Sequence, residues 1–199
     1  MLLHGRRRIP AEVGCYLSHV ECARRLLASD ATHALILEDD VAFQADFAET
    51  LKAALDRHAG WDILRLSALN SGPKIPYAPL GNGHSLAIAL MREKGAGAYV
   101  INRRAAQWFV SRLVPMRLSW DIAFDLEYLY GLRAAYVVPV PVNQRTETVS
   151  QIQDDVLAAK LPRWRYLTVL PYRAFLELAR AVMRTGRLAG LRLGLLRAT

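Results

Sequence analysis

The run His33-Ala34-Leu35-Ile36-Leu37-Glu38-Asp39-Asp40-Val41-Ala42-Phe43 constrains this chain more than any other stretch. An apolar segment ends in three carboxylates and then resumes. A short continuous apolar run suits a strand covered on both faces of a sheet. Adjacent acids repel one another, and burial raises that cost unless a cation or hydrogen-bond donors compensate. In open α/β sheets, ligands sit beyond the carboxyl ends of the strands. Strand alternation sends Glu38 and Asp40 to one side and Asp39 to the other. Two carboxylates on one side suit a hard divalent cation such as Mg²⁺ or Mn²⁺. The same pattern also fits solvated turn residues, or acids capping a helix that starts near Asp46.

Around this stretch the chain alternates. Pro10 suits the first residue of a helix whose apolar face is Val13, Leu17, Val20 and Leu27. A second helix is expected from about Asp46 to His58, with Phe47, Leu51, Ala54 and Leu55 inward, and a second strand over Trp61 to Leu66. This strand–helix–strand succession argues for an α/β fold with a mainly parallel sheet. Asn70 to Gly83 reads as a long loop, in which Tyr77 and His84 just beyond it are placed to stack on a ligand. Strands follow at Ser85–Met91, Ala98–Ile101 and Ala134–Val138, with helices at Arg103–Leu113 and Ser119–Tyr130. A last helix, about Tyr172 to Thr185, carries Arg173, Glu177, Arg180 and Arg184 as one polar stripe; glycines at 186, 190 and 194 weaken its continuation.

Several ordered blocks together resemble glycosyltransferase family 25, whose members include bacterial lipopolysaccharide-biosynthesis enzymes and collagen galactosyltransferases. They are Ala11-Glu12-Val13-Gly14-Cys15-Tyr16-Leu17-Ser18-His19, then Ala34 to Val41, then Gly95-Ala96-Gly97-Ala98-Tyr99-Val100-Ile101-Asn102, then Trp120-Asp121, then Val142-Asn143-Gln144-Arg145 and Ser150-Gln151-Ile152. The resemblance implies a GT-A-like mixed, mainly parallel sheet flanked by helices. It also implies a UDP-sugar donor of the galactose type, Mn²⁺ or Mg²⁺, and inverting transfer to a saccharide hydroxyl. On that pattern Glu38, Asp39 and Asp40 form the metal motif, and Asp40 is the direct ligand. Asp121 is the base that takes the acceptor proton, with Asp125 four residues on. Ser18, His19, Gly97, Tyr99 and Arg145 are the substrate-binding positions. Family members usually begin with a strand and a helix ahead of the first block, whereas only Met1 to Ile9 precede it here. The expected fold is therefore N-terminally shortened, with an exposed sheet edge.

Composition enters through charge. The net charge of +8 equals the excess in residues 160–199, which hold nine basic residues and one acid, Glu177. The chain thus divides into an α/β domain over residues 1–159 and a basic amphipathic helical tail over residues 160–199. Arginines interleaved with leucines suit an anionic membrane surface. Few aromatics accompany them, which disfavours nucleic acid. No apolar run approaches the roughly 20 residues of a membrane span, and residues 1–8 lack the apolar core of a secretory signal. Cys15 and Cys22, about 10 Å apart along one helix, read as reduced thiols. The expectation is a cytoplasmic enzyme on the inner membrane, acting on a lipid-linked oligosaccharide. The alternative is a non-catalytic remnant serving as a binding or scaffold protein. Metal-dependent phosphoester hydrolysis ranks last, because no histidine-rich ligand cluster is visible.

Overall fold

The computed structural model describes residues 10–70, 72–144, 164 and 166–196. Helix α1 (Pro10–Ala28) runs from the first described residue, and its buried face is Glu12, Tyr16, His19, Val20, Ala23 and Leu26. Leu17 is exposed, so the face is turned from the one the aliphatic residues outline. Tyr16 sets it. Its hydroxyl donates to Leu113 O at 2.6 Å, and its ring meets Trp120 edge-on at 5.0 Å. Burying such a ring contributes on the order of 2 kcal/mol, and its polar tip is satisfied as well.

Six strands form the main sheet: β1 (His33–Leu37), β3 (Ile63–Arg65), β4 (Lys74–Gly81), β5 (His84–Ala89), β6 (Ala98–Asn102) and β7 (Ala134–Val138), in the order β1-β6-β3-β7-β5-β4. A two-stranded ladder pairs β2 (Val41–Phe43) with β8 (Val142–Gln144). The fold is α/β with a mixed sheet, consistent with a GT-A-like arrangement. Its parallel share is smaller than the alternation of elements suggests. Among the described residues only β3 and β7 pair in parallel, because β6 enters antiparallel between β1 and β3 and a β4–β5 hairpin extends the far side.

Strand alternation builds a core on each face. Ile36, Ile63, Tyr99, Ile101 and Ala134 face α1 and α3 (Arg103–Arg112). Leu64, Leu66, Ala98, Val100 and Val137 face α2 (Phe47–Leu55). Ile36 alone of the opening apolar run is fully buried; Leu35 and Leu37 are exposed, because β1 is an edge strand among the described residues. Asn102 caps α3 by accepting from Ala105 N at 2.9 Å. Arg103 then donates to the carbonyls of Leu26, Leu27, Ser29 and Ala31, closing the end of α1.

The expected loop over residues 70–83 is largely β4. Pro76 and Pro79 are tolerated because β4 is the opposite edge of the sheet, where one side of the backbone has no ladder partner among the described residues. Asn82 and Gly83, with φ of 47° and 78°, make the tight turn into β5. The expected helix over Ser119–Tyr130 is a single α-turn, α4 (Trp120–Ala123), that tightens into a 3₁₀ segment, Phe124–Tyr130. The last helix, α5 (Tyr166–Arg192), runs through Pro171, Gly186 and Gly190, well beyond the expected ends.

Candidate functional site

The carboxyl end of β1 delivers Glu38 to the mouth of the site. Its backbone N–H donates to Gly97 O at 2.8 Å. Strand β2 starts at Val41 and pairs Val41 with Gln144, which returns the far end of the described domain to the acids. Gln144 Nε2 donates to Glu38 Oε2 at 2.9 Å and approaches Asp40 Oδ1 at 3.4 Å. Glu38 and Asp40 therefore share the Gln144 amide across the turn between β1 and β2, not along a strand, and Asp39 is turned to solvent. One amide donor now serves two carboxylates, and Gln144 Oε1 is buried with no partner among the described residues. An oxygen-only pair with a displaceable amide between them fits a hard divalent cation.

His19 forms the inner wall. Its Nε2 lies 3.5 Å from Glu38 Oε1, and its Nδ1 is 2.8 Å from the Tyr99 hydroxyl. The imidazole stacks on Trp120 at 4.8 Å with a 5° interplanar angle. Trp120 stacks in turn on Phe124, and the Arg65 guanidinium lies over the Phe124 ring at 4.1 Å. Half-buried Asp121 follows Trp120. The Cys15 thiol, one helical turn before His19, is pushed up to about 11 by burial and by the charges of Glu38, Asp121 and Glu12. Asp121 thus lies within electrostatic reach of the cluster.

The family model for glycosyltransferase family 25 (LPS biosynthesis protein) matches residues 9–125, more than half of the chain. The chain belongs to glycosyltransferase family 25. It is 28% identical to procollagen galactosyltransferase 1 of Danio rerio over 132 residues, 64% of this chain and 22% of that protein. It is 34% identical to a glycosyltransferase 25 family member of Aedes aegypti over 64 residues, 31% of this chain and 10% of the relative. It is 30% identical to the inactive glycosyltransferase 25 family member 3 of Homo sapiens over 74 residues, 35% of this chain and 12% of the relative. The chain therefore spans only between a tenth and about a fifth of the length of these relatives.

The other expected site residues of this family 25 chain divide by what they touch. Tyr99 is fully buried and reaches no ligand surface; it holds His19. Gly97 leaves room for Gln144, since a Cβ there would stand 2.9 Å from Gln144 Cδ. Ser18 is exposed and its hydroxyl donates back to Gly14 O at 3.0 Å, away from the cluster. Arg145 lies outside the described residues. His84 is bound between Asp46 Oδ2 at 2.8 Å and Pro139 O at 2.9 Å, and Tyr77 faces Arg187, so neither lines this site. An open depression of about 880 Å³ lined by His33, His58 and Arg103 lies at the opposite end of β1.

Asp125 is not at the site. Helical spacing from Asp121 fails because the chain tightens to a 3₁₀ segment at Phe124. Its carboxylate is fully buried among Arg65 at 3.2 Å, Arg180 at 3.0 Å and Arg184 at 2.9 Å. Held there, it has no path to an acceptor hydroxyl. Arg184 also binds both oxygens of Glu127 at 2.8 and 2.9 Å. The expected polar stripe of α5 is thus split. Arg180 and Arg184 are 0% and 4% exposed, while Phe175, Leu178 and Val182 are 58%, 67% and 64% exposed. Sequence reasoning missed Cys15 and Gln144. The i, i+4 spacing of Cys15 and His19 was a visible signal; Gln144 gave none beyond its block.

Proposed function

We propose that this chain carries the catalytic core of a metal-dependent glycosyltransferase that moves a sugar, of the galactose type, from a UDP-sugar to a saccharide hydroxyl with inversion. The observation that carries this reading is the convergence of Glu38 and Asp40 on one side at the end of β1, bridged by Gln144 and walled by His19. Glu38 and Asp40 would hold Mn²⁺ or Mg²⁺, which when bound would neutralise charge on the leaving diphosphate. Asp121 is the base in this reading, taking the acceptor proton at its carboxylate. His19, locked by Tyr99 and Trp120, keeps Glu38 oriented. Asp39, exposed, is left to outer-sphere contacts.

The lipid-linked acceptor is supported by α5. Its buried arginines fix the helix, leaving Leu167, Leu170, Phe175, Leu178, Val182 and Met183 outward. No helix among the described residues is long and apolar enough to cross a membrane. An outward apolar face on a helix that also exposes Arg173 and Arg192 suits an anionic bilayer surface instead.

The test is UDP-sugar hydrolysis and transfer with Mn²⁺. Asp40→Asn should lower the rate by about a hundredfold or more; unchanged activity overturns the site. The human relative is named an inactive family member, which favours a second reading, a non-catalytic remnant. Calorimetry separates the two: heat of UDP-sugar binding with Mn²⁺ supports the enzyme, and its absence from folded protein supports the remnant.

A further inference from the structure

We infer that Cys15, His19 and Glu38 form a second, softer cation site, selective for Zn²⁺ over Mn²⁺ or Mg²⁺. One ligand atom from each of the three residues lies within 4.8 Å of the others. Cys15 and His19 are four residues apart on α1 and so lie on one helical face. Glu38 comes from the end of β1. The backbone holding all three donors is therefore regular structure or its immediate edge.

The outer contacts are those a bound histidine needs. Nδ1 of His19 faces the Tyr99 hydroxyl at 2.8 Å, which leaves Nε2 directed at Glu38, 3.5 Å away. Metal-binding imidazoles are commonly oriented through the opposite nitrogen in this way. Stacking on Trp120 fixes the ring plane. Glu38 is anchored through its backbone N–H to Gly97 O.

The donor set decides the metal. Thiolate, imidazole and carboxylate are the ligands of Zn²⁺, whereas Mg²⁺ and Mn²⁺ prefer oxygens. Tetrahedral Zn²⁺ with bonds of about 2.0–2.3 Å places its ligand atoms about 3.3–3.6 Å apart. The His19–Glu38 spacing already meets this, and the thiol needs to close by no more than about 1.5 Å. On binding, the Cys15 thiol releases its proton to the buffer and the thiolate sulfur joins the cation. Three protein ligands leave a fourth position for water, so the site exchanges its metal instead of sealing it. Glu38 also belongs to the pair proposed to hold the hard cation. Zinc on Cys15 and His19 therefore draws Glu38 away from Asp40 and lowers transfer. The zinc site itself does not depend on the transfer reading.

The experiment is a Co²⁺ titration of the full, metal-stripped chain, with a reductant that carries no thiol. The expected result is a near-ultraviolet thiolate-to-cobalt charge-transfer band at one equivalent, erased by one equivalent of Zn²⁺ and not by excess Mn²⁺. Cys15→Ser should abolish the band, Cys22→Ser should keep it, and Asp40→Asn should keep it while losing activity. On the unmodified protein, Zn²⁺ but not Mn²⁺ should slow alkylation of Cys15 at least tenfold, read by peptide mass. No band in the native chain, a band surviving Cys15→Ser, or equal protection by Mn²⁺ would overturn the proposal. Loss of activity in Asp40→Asn with the cobalt band intact separates this site from the hard-cation site.

Discussion

Arg184→Met tests how α5 is attached. The native guanidinium is 4% exposed and donates to Asp125, to both oxygens of Glu127 and to Ala89 O at 3.0 Å. Methionine matches its length but offers no donor. Asp125 keeps Arg65 and Arg180, but Glu127 loses its ion-pair partner. Breaking a buried pair on one side costs about 3–5 kcal/mol, since a charge is left uncompensated. With a urea slope of about 2 kcal/mol/M, the unfolding midpoint should fall by roughly 1.5–2.5 M. The pH dependence carries the sign. Burial already raises Glu127 above the ordinary carboxylate value, although Arg184 opposes this. A raised acid contributes stability below its unfolded pKa and loses it as pH rises through the folded one. Removing Arg184 raises Glu127 further, so the deficit should be greatest at neutral pH and shrink in mild acid. Phe175→Ser is the control. Though apolar, Phe175 is 58% exposed, so this change should stay within about 0.5 kcal/mol. A loss below about 1 kcal/mol in Arg184→Met, or an equal loss in Phe175→Ser, would refute docking through the arginines.

Other outcomes follow from single contacts. Asp62 is fully buried and accepts from Asn102, Arg104 and Arg133; burial pushes its carboxyl up, but the Asn102 and Arg133 hydrogen bonds outweigh this and hold it below the ordinary value. Asp62→Asn should cost about 2 kcal/mol at neutral pH. A depressed acid contributes above its unfolded pKa and loses that contribution as pH falls through the folded one, so the gap to the native chain should close in acid. Urea curves at a series of pH values that stay parallel would refute this. Gly97→Ala places a Cβ 3.0 Å from Gln144 Nε2 and should push the amide off Glu38 and Asp40. Transfer should drop about tenfold while stability shifts by less than about 1 kcal/mol; an unchanged rate would remove Gln144 from the site.

Much of the architecture was legible because local rules act over a few residues. Apolar spacing marks the helices α1 and α3, and the apolar runs mark β3, β6 and β7. The loop reading of β4 failed because prolines exclude a strand only when both its edges are paired. Asp125 was misplaced because its spacing assumed α-geometry that the chain abandons one residue earlier. The cluster of Cys15, His19 and Glu38 was half legible, as an i, i+4 pair on a helix.

Where the chain keeps a regular period, the sequence by itself determined which residues share a face, and it determined where the acids stand relative to the apolar run. Helical or strand period does that without any partner. Which face turns inward was decided only in the tertiary structure. The stripe of Arg173, Glu177, Arg180 and Arg184 reads as solvated, because guanidinium groups are costly to bury alone. Asp125 and Glu127, more than fifty residues away, remove that cost for Arg180 and Arg184. The same long-range logic brings Gln144 to Glu38 across 106 residues. Charge compensation of this kind depends on distance in space, which no periodicity along the chain encodes.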